Sequence, residues 1–346
     1  MISTFRNITR SFRLNRHPHL SSSFNTVSNH LTVLPTMAEE PALQALFKSK
    51  DYASSFKRGE MVTRPFAEML VDQSKVAAES KANPAQHLIV LDNACGTGVI
   101  SSALNDKLDD SVKKMWKLTC GDISSPMIES TTHRMQEEGW PNAEAKIVDA
   151  QKPELASAQF SHIFTAFAYM ALPESLKALD ETVRMLQPGG TIAFSTWIEP
   201  GWIAVARAAI ESMPGNLSFP ETPKPLAALT DGQWDSKAWI ETQLEERGFQ
   251  DIDVRPTTTK LTITSPIFVD MTMLMIPTMV KTFWTDKQRE EHQDKVRPAI
   301  EKVLGRQLRV WEHRYRMDGY SVHCAQVWLD GKLIQAPMKR GIYTNL

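Results

Sequence analysis

Residues 87–98 read His-Leu-Ile-Val-Leu-Asp-Asn-Ala-Cys-Gly-Thr-Gly. The nearly continuous apolar run from His87 to Asp92 is what a strand buried on both faces requires. A glycine turn follows, and then a predicted helix through Leu108. This order constrains the chain strongly. It opens a strand–helix–strand unit, and it brings bare backbone toward a ligand where a Cβ would stand in the way.

The unit recurs. Trp116–Cys120 is predicted as a second strand ending at Gly121-Asp122, with Ser125-Pro126 as the cap and first-turn proline of the next helix. Ala145–Val148 is a third strand, ending at Asp149, and Phe160–Phe167 a fourth. A helix from Pro173, with Leu176, Leu179, Val183 and Leu186 on one side, is expected to stop at Pro188-Gly189-Gly190, ahead of a fifth strand at Thr191–Trp197. This alternation predicts an α/β fold, a parallel sheet with helices on both faces. A ligand in such a sheet sits beyond the carboxyl ends of the strands, near the switch point. Asp92, Asp122, Asp149 and Thr165 all fall at or near those ends.

The flanks are looser. Pro41–Ala78 reads as helices with an apolar face from Tyr52, Phe56, Met61, Phe66, Met69 and Leu70. Later helices are predicted at Trp202–Met213 and Ser236–Arg247, separated by a loop with Pro214, Pro220, Pro223 and Pro225. An extended strand over Asp251–Thr264 precedes a methionine-rich segment, Val269–Trp284, expected to kink or break at Pro277. A charged helix over Asp286–Leu304 and a last strand over Tyr320–Leu329, turning at Asp330-Gly331, complete the pattern.

Residues 1–38 stand apart. They carry Arg6, Arg10, Arg13 and Arg16 and no acid, and Ile2, Phe5, Ile8 and Phe12 fit one helical face. Three readings fit that composition: a mitochondrial transit peptide, a disordered tail, or an upstream extension ahead of an alternative start at Met37. A cytoplasmic location is expected, with mitochondrial import as the alternative.

Composition narrows the partners. A net charge of −1 gives no electrostatic case for nucleic acid or an anionic membrane surface. No stretch is expected to supply the roughly 18–20 apolar residues of a membrane span. Cys95, Cys120 and Cys324 show no C-x-x-C pairing, so neither a disulfide framework nor a metal site is expected.

Three ligand classes use a strand, a glycine turn and a helix. A P-loop needs a lysine after its last glycine, and none follows Gly98. A dinucleotide site wants glycine or alanine at its third position, where Ser101 stands, which disfavours an NAD(P)-dependent oxidoreductase without excluding it. S-adenosylmethionine fits better. It has no phosphate, so an acid at the strand end, Asp92, is useful near its ammonium and sulfonium and would be costly against a pyrophosphate. Asp122 follows near the roughly 20-residue spacing of a ribose-binding carboxylate. Ile123 and Met127 are placed to flank adenine, and Asp149-Ala150 to meet its amino group. The expected cofactor residues are Asp92, Asn93, Ala94, Gly96, Gly98, Asp122, Ile123, Met127, Asp149, Ala150 and Thr165.

Val90–Gly98, Cys120–Met127, Ala145–Asp149 and Met185-Leu-Gln-Pro-Gly-Gly190 together resemble the class I methyltransferases, in the small-molecule branch related to ubiquinone-biosynthesis enzymes. Trp116–Asp122, Ile210–Asn216 and Lys281–Asp286 bring the chain nearer to fungal enzymes of the gliotoxin bis-thiomethyltransferase type. The resemblance runs over roughly Ala42–Arg297. It implies a Rossmann-like, seven-stranded, mostly parallel sheet whose last strand is antiparallel, with a helical N-terminal lid. It also implies that Asp92, Gly96 and Gly98 hold the methionine end, Asp122 the ribose and Asp149 the adenine. The domain would then span 39–332, with a cofactor half at 85–200, a substrate half at 201–332 plus the lid at 41–78, and tails at 1–38 and 333–346.

Methyl transfer asks a protein mainly to align two partners and exclude water. A thiol, with an ordinary pKa of about 8.5, needs less help than a phenol at about 10. His162 reads as structural, His133 as a surface residue, and His292 and His313 lie in or after the charged helix, so no catalytic base is predicted. The acceptor pocket is expected from Tyr52, Phe56, Phe167, Tyr169, Trp197, Trp202 and Met275, with Met170, Met271, Met273 and Met279 nearby. That lining suits a flat, apolar small molecule with a thiol or hydroxyl acceptor, as in fungal secondary metabolism. A mitochondrial quinone-type methyltransferase is the alternative, and monomer and homodimer stay open.

Overall fold

The computed structural model describes residues 42–83, 87–219, 230–307, 314–326, 328–329 and 332–333. The expectations for residues 1–38, for Pro41, Pro220, Pro223 and Pro225, for the Asp330-Gly331 turn and for residues 334–346 lie outside the described residues. Among the described residues the main sheet has the strands β1 (Ile89–Asn93), β2 (Lys117–Asp122), β3 (Ala143–Ile147), β4 (Phe160–Ala166), β5 (Leu186–Glu199), β6 (Phe249–Thr262) and β7 (Arg314–Gln326), and buried residues dominate β1, β2 and β4. Their order is β3-β2-β1-β4-β5-β7-β6. The pairings from β3 through β5 are parallel, while β7 runs antiparallel to both β5 and β6. Parallel pairing is therefore confined to five strands, which narrows the mostly parallel sheet expected from sequence.

The chain steps from β1 outward to β2 and β3, then returns to β4 on the other side of β1. The reversal sets a crevice above the carboxyl ends of β1 and β4, the usual place for a ligand in such sheets. Strand alternation sends Val90 and Leu91, both fully buried, into different cores. Val90 packs with Leu70, Ile100 and Leu104 from helices Glu60–Gln73 and Val99–Lys107. Leu91 packs with Leu179 and Ile240 from helices Ser175–Met185 and Lys237–Glu246. A third core joins helices Trp202–Glu211, Ser265–Phe283 and Val296–Gln307 through Ile210, Ile276 and Ile300, with Phe167 and Trp197 packed against it.

Local signals fail at several points where tertiary pairing wins. Leu186 does not extend the helix before it; it begins β5. Pro188-Gly189-Gly190 lies inside that strand, where the register slips from Phe160 opposite Leu186 to His162 opposite Thr191. The proline and glycines make a bulge rather than a terminator. Pro277 likewise does not break helix Ser265–Phe283. It forfeits one helical hydrogen bond, and burial of Phe268, Ile276, Met279 and Val280 offsets that loss. This helix is also long and apolar enough to cross a membrane by length and composition, contrary to the expectation that no stretch would be. Its packing in the third core gives that composition a different use.

Candidate active site

Asp92, the penultimate residue of β1, does not look outward. Its side chain is 1% exposed, and Oδ2 accepts from the Ser101 amide at 3.2 Å and the Ser101 hydroxyl at 2.6 Å. The acid therefore straps the start of β1's following helix to the strand and does not line the cavity, its expected place beside a ligand. Ser101, which sequence shows only as a missing third glycine, is the residue that holds it. Burial pushes the Asp92 carboxyl up to about 7, with the Asp122 charge adding and the Ser101 hydrogen bonds opposing.

Beyond Asp92 the backbone turns through positive φ at Ala94 (57°), Gly96 (55°) and Gly98 (77°). Gly98 caps helix Val99–Lys107, and a Cβ there would come to 3.2 Å from Thr131 and Trp140, so packing demands this glycine. Gly96 differs. A Cβ built on it meets only the Phe56 ring, at 3.4 Å, because that side of the turn faces a cavity. Its amide donates to Asp122 Oδ2 at 2.8 Å, while Ser124 donates to Oδ1 at 2.9 Å. Burial raises the Asp122 carboxyl, and these backbone donors counter it.

The cavity has a volume of about 270 Å³. Ala94, Gly96, Asp122, Ile123, Met127, Asp149 and Ala150 form its strand-end wall. Tyr52, Phe56, Phe167, Trp197, Trp202 and Met275 form the facing wall. Four expected cofactor residues do not line it. Asp92 is turned to Ser101, Gly98 is packed under Thr131, and Asn93 is fully buried, its amide making no hydrogen bond with any described residue. Thr165 sits one residue short of the end of β4, opposite Phe194, and is 1% exposed; Ala166 and Phe167 reach the cavity in its place.

Tyr169 also departs from expectation. It enters the single turn Tyr169–Ala171, stacks on Trp234 at 4.8 Å and pairs its hydroxyl with Thr182 Oγ1 at 2.8 Å. That turn rotates the ring into the core, where Thr182 satisfies the buried phenol. Sequence reasoning misses Gln151, which lines the cavity and takes its place from Asp149: Asp149 Oδ1 accepts from the Gln151 amide at 2.9 Å. Its only signal is adjacency to the Asp149-Ala150 strand end.

The titratable side chains on the described lining are Tyr52, Asp122 and Asp149. Burial first, and the Asp122 charge second, hold the Tyr52 phenol protonated. His162 lies near the other end of β4, with Nδ1 on Ser161 Oγ at 3.1 Å and Nε2 3.7 Å from Glu79. His133 is exposed beside Glu137, His292 packs against Gly215, and His313 lies outside the described residues. The wall is also tied to the N-terminal helices. The Glu60 carboxylate accepts from Thr97 Oγ1 and from Arg134, each at 2.5 Å, and Arg134 donates to the Thr97 carbonyl at 2.7 Å.

Comparison with known proteins fits this geometry. A family model described as a methyltransferase domain matches residues 90–190. Acetylaranotin bis-thiomethyltransferase of Aspergillus terreus is 44% identical over 262 residues, covering 76% of this chain and 89% of that protein. Methyltransferase tpcH of Aspergillus fumigatus is 38% identical over 265 residues, covering 77% and 92%. The solved structure of Haemonchus contortus phosphoethanolamine N-methyltransferase 2, in complex with phosphomonomethylethanolamine and S-adenosylhomocysteine, aligns at 14% identity with a TM-score of 0.45, covering 82% of this chain and 60% of that one. The oxidoreductase alternative falls against relatives that match this chain over nearly their whole length. The chain belongs to the class I S-adenosylmethionine-dependent methyltransferases.

Proposed function

We propose that this methyltransferase acts on a thiol of a small, apolar metabolite in fungal secondary metabolism. One observation carries the reading: among the described residues the facing wall of the cavity holds no base, since the one titratable group among them, Tyr52, is held protonated. The acceptor must then bring its own nucleophilicity. A thiol, ionising at about 8.5, has usable thiolate near neutral pH; a phenol at about 10 has much less. The name of the Aspergillus terreus relative, a bis-thiomethyltransferase, supports the same choice.

The strand-end wall suits the donor. Gly96 presents backbone with no Cβ, Asp122 offers carboxylate oxygens of the kind a ribose diol seeks, Ile123 and Met127 offer apolar flanks, and Asp149 offers an acceptor for an amino-bearing ring. When bound, S-adenosylmethionine supplies a methyl group already activated on sulfur. The rest falls to the chain. Gly96 and Ser124 amides orient Asp122; Tyr52 keeps a proton to donate; Phe56, Phe167, Trp197 and Trp202 exclude water. Helices Lys50–Arg58 and Glu60–Gln73 act as a lid, held by Glu60.

The test is turnover of thiols and phenols of matched size with S-adenosylmethionine, read as S-adenosylhomocysteine release. Thiols are expected to react, and the pH at which kcat/KM levels off should follow the pKa of the thiol supplied. Methylation of phenols alone would overturn the proposal.

A further inference from the structure

Phe167 follows β4 with φ 52°, in the left-handed region that bulky side chains rarely enter. Its amide donates to the Ser195 carbonyl of β5 at 2.9 Å, which fixes the backbone in that conformation. The result is the placement of one ring. Phe167 lies parallel to Trp197, with centroids 3.9 Å apart and planes within 9°. Phe66 meets both rings edge-on, at 5.4 and 5.2 Å, from a position 2% exposed. Phe167 and Trp197 both line the cavity. Tyr169, Phe194 and Trp234 form a comparable aromatic cluster in the core without any positive φ. Aromatic packing alone therefore does not demand the strain, and strain retained at a cavity wall points to a role in recognition.

We infer that the Phe167–Trp197 stack, braced by Phe66, is the platform that recognises the acceptor, and that Phe167 determines its specificity for a planar π-ring carrying the thiol. A flat ring extends the stack; a saturated ring of similar area is puckered and cannot. The inference deepens the thiol-methylating reading and rests on it for the reaction.

The experiment uses full-length protein saturated with S-adenosylhomocysteine, whose affinity also serves as the folding control. Benzyl mercaptan and cyclohexylmethanethiol are titrated by calorimetry below neutral pH, where both remain neutral thiols; they share size and differ in ring flatness. Wild type is expected to prefer benzyl mercaptan by about 10-fold. Phe167→Leu, which keeps apolar bulk, is expected to lose that preference, and Phe167→Tyr to keep it. Equal binding of the two thiols by wild type, or a preference that survives Phe167→Leu, overturns the inference. Should Phe167→Leu not fold, Phe167→Gly, free to adopt the same φ, makes the same comparison. A flat-ring preference in binding with no turnover of either thiol supports the platform and overturns the proposed reaction, so the two failures are distinct.

Discussion

The two walls of the cavity are made of different material. The strand-end wall is built around a backbone turn: Ala94 and Gly96, both at positive φ, line it, and the Gly96 amide is bonded to the Asp122 carboxylate. The facing wall is side chain, gathered from the N-terminal helices, the ends of β4 and β5, and helices Trp202–Glu211 and Ser265–Phe283. Backbone geometry tolerates no substitute at a given position, whereas a wall of apolar rings and thioethers yields by degrees. On the proposed reading the donor, common to the whole family, meets the first kind of surface and the variable acceptor the second.

Gly96→Val tests the rigid wall most severely. A β-branched residue at φ 55°, aimed at Phe56, is expected to weaken S-adenosylhomocysteine at least about 1,000-fold, or about 4 kcal/mol, by calorimetry. Retention within tenfold would end the claim that this wall is made of backbone. Asp92→Asn separates what lies in the wall from what lies behind it. Burial holds the folded carboxyl up to about 7, above the roughly 4 of a free aspartate, so between those values the folded protein keeps a proton the unfolded chain has released. Its contribution to stability is whole below about pH 4 and is lost as the pH rises toward 7. Denaturant titrations across that window should show the wild type losing roughly 3 kcal/mol relative to the variant, with cofactor affinity nearly unchanged.

Trp202→Ala probes the yielding wall. It should raise KM for a thiol acceptor about tenfold, worth about 1.4 kcal/mol, and leave S-adenosylhomocysteine affinity within a few-fold. A parallel loss of both would show the walls to be one surface. The smallest effect belongs to Ala94→Gly. Releasing a methyl-bearing residue from φ 57° should stabilise the protein by about 0.5–1 kcal/mol after the entropy of the added glycine is counted, read as a rise of about 1–2 °C in Tm.

The same division explains what the sequence makes legible. Strand, turn and helix around Asp92–Gly98 are local events, written in adjacent residues, and so are the strand ends that place Asp122 and Asp149. Asp92 itself is ambiguous, because a carboxylate ahead of glycines can serve a ligand or the turn, and its partner Ser101 looks like a defect in a glycine motif until the helix folds back on it. Tyr169 fails for a different reason. A 3₁₀ turn that begins at Tyr169, two residues after Phe167, decides which ring meets the cavity, and no periodicity encodes that rotation. Leu186 and Pro277 carry local signals that sheet pairing and helix burial override.

The bonds from Glu60 to Thr97 and Arg134 have a temporal consequence. They fasten helix Glu60–Gln73, which directly follows the helix bearing Tyr52 and Phe56, to the residue after Gly96, so the facing wall of the cavity is tied to the strand-end wall. On the proposed reading, with the donor on the strand-end wall and the acceptor on the facing wall, a lid that must move for both would leave the spent donor to depart after the methylated product. Such an enzyme is expected to run in compulsory order, donor first and S-adenosylhomocysteine last. Steady-state inhibition by S-adenosylhomocysteine should then compete with the donor and not with the thiol, and Glu60→Gln should speed turnover wherever departure is the slow event.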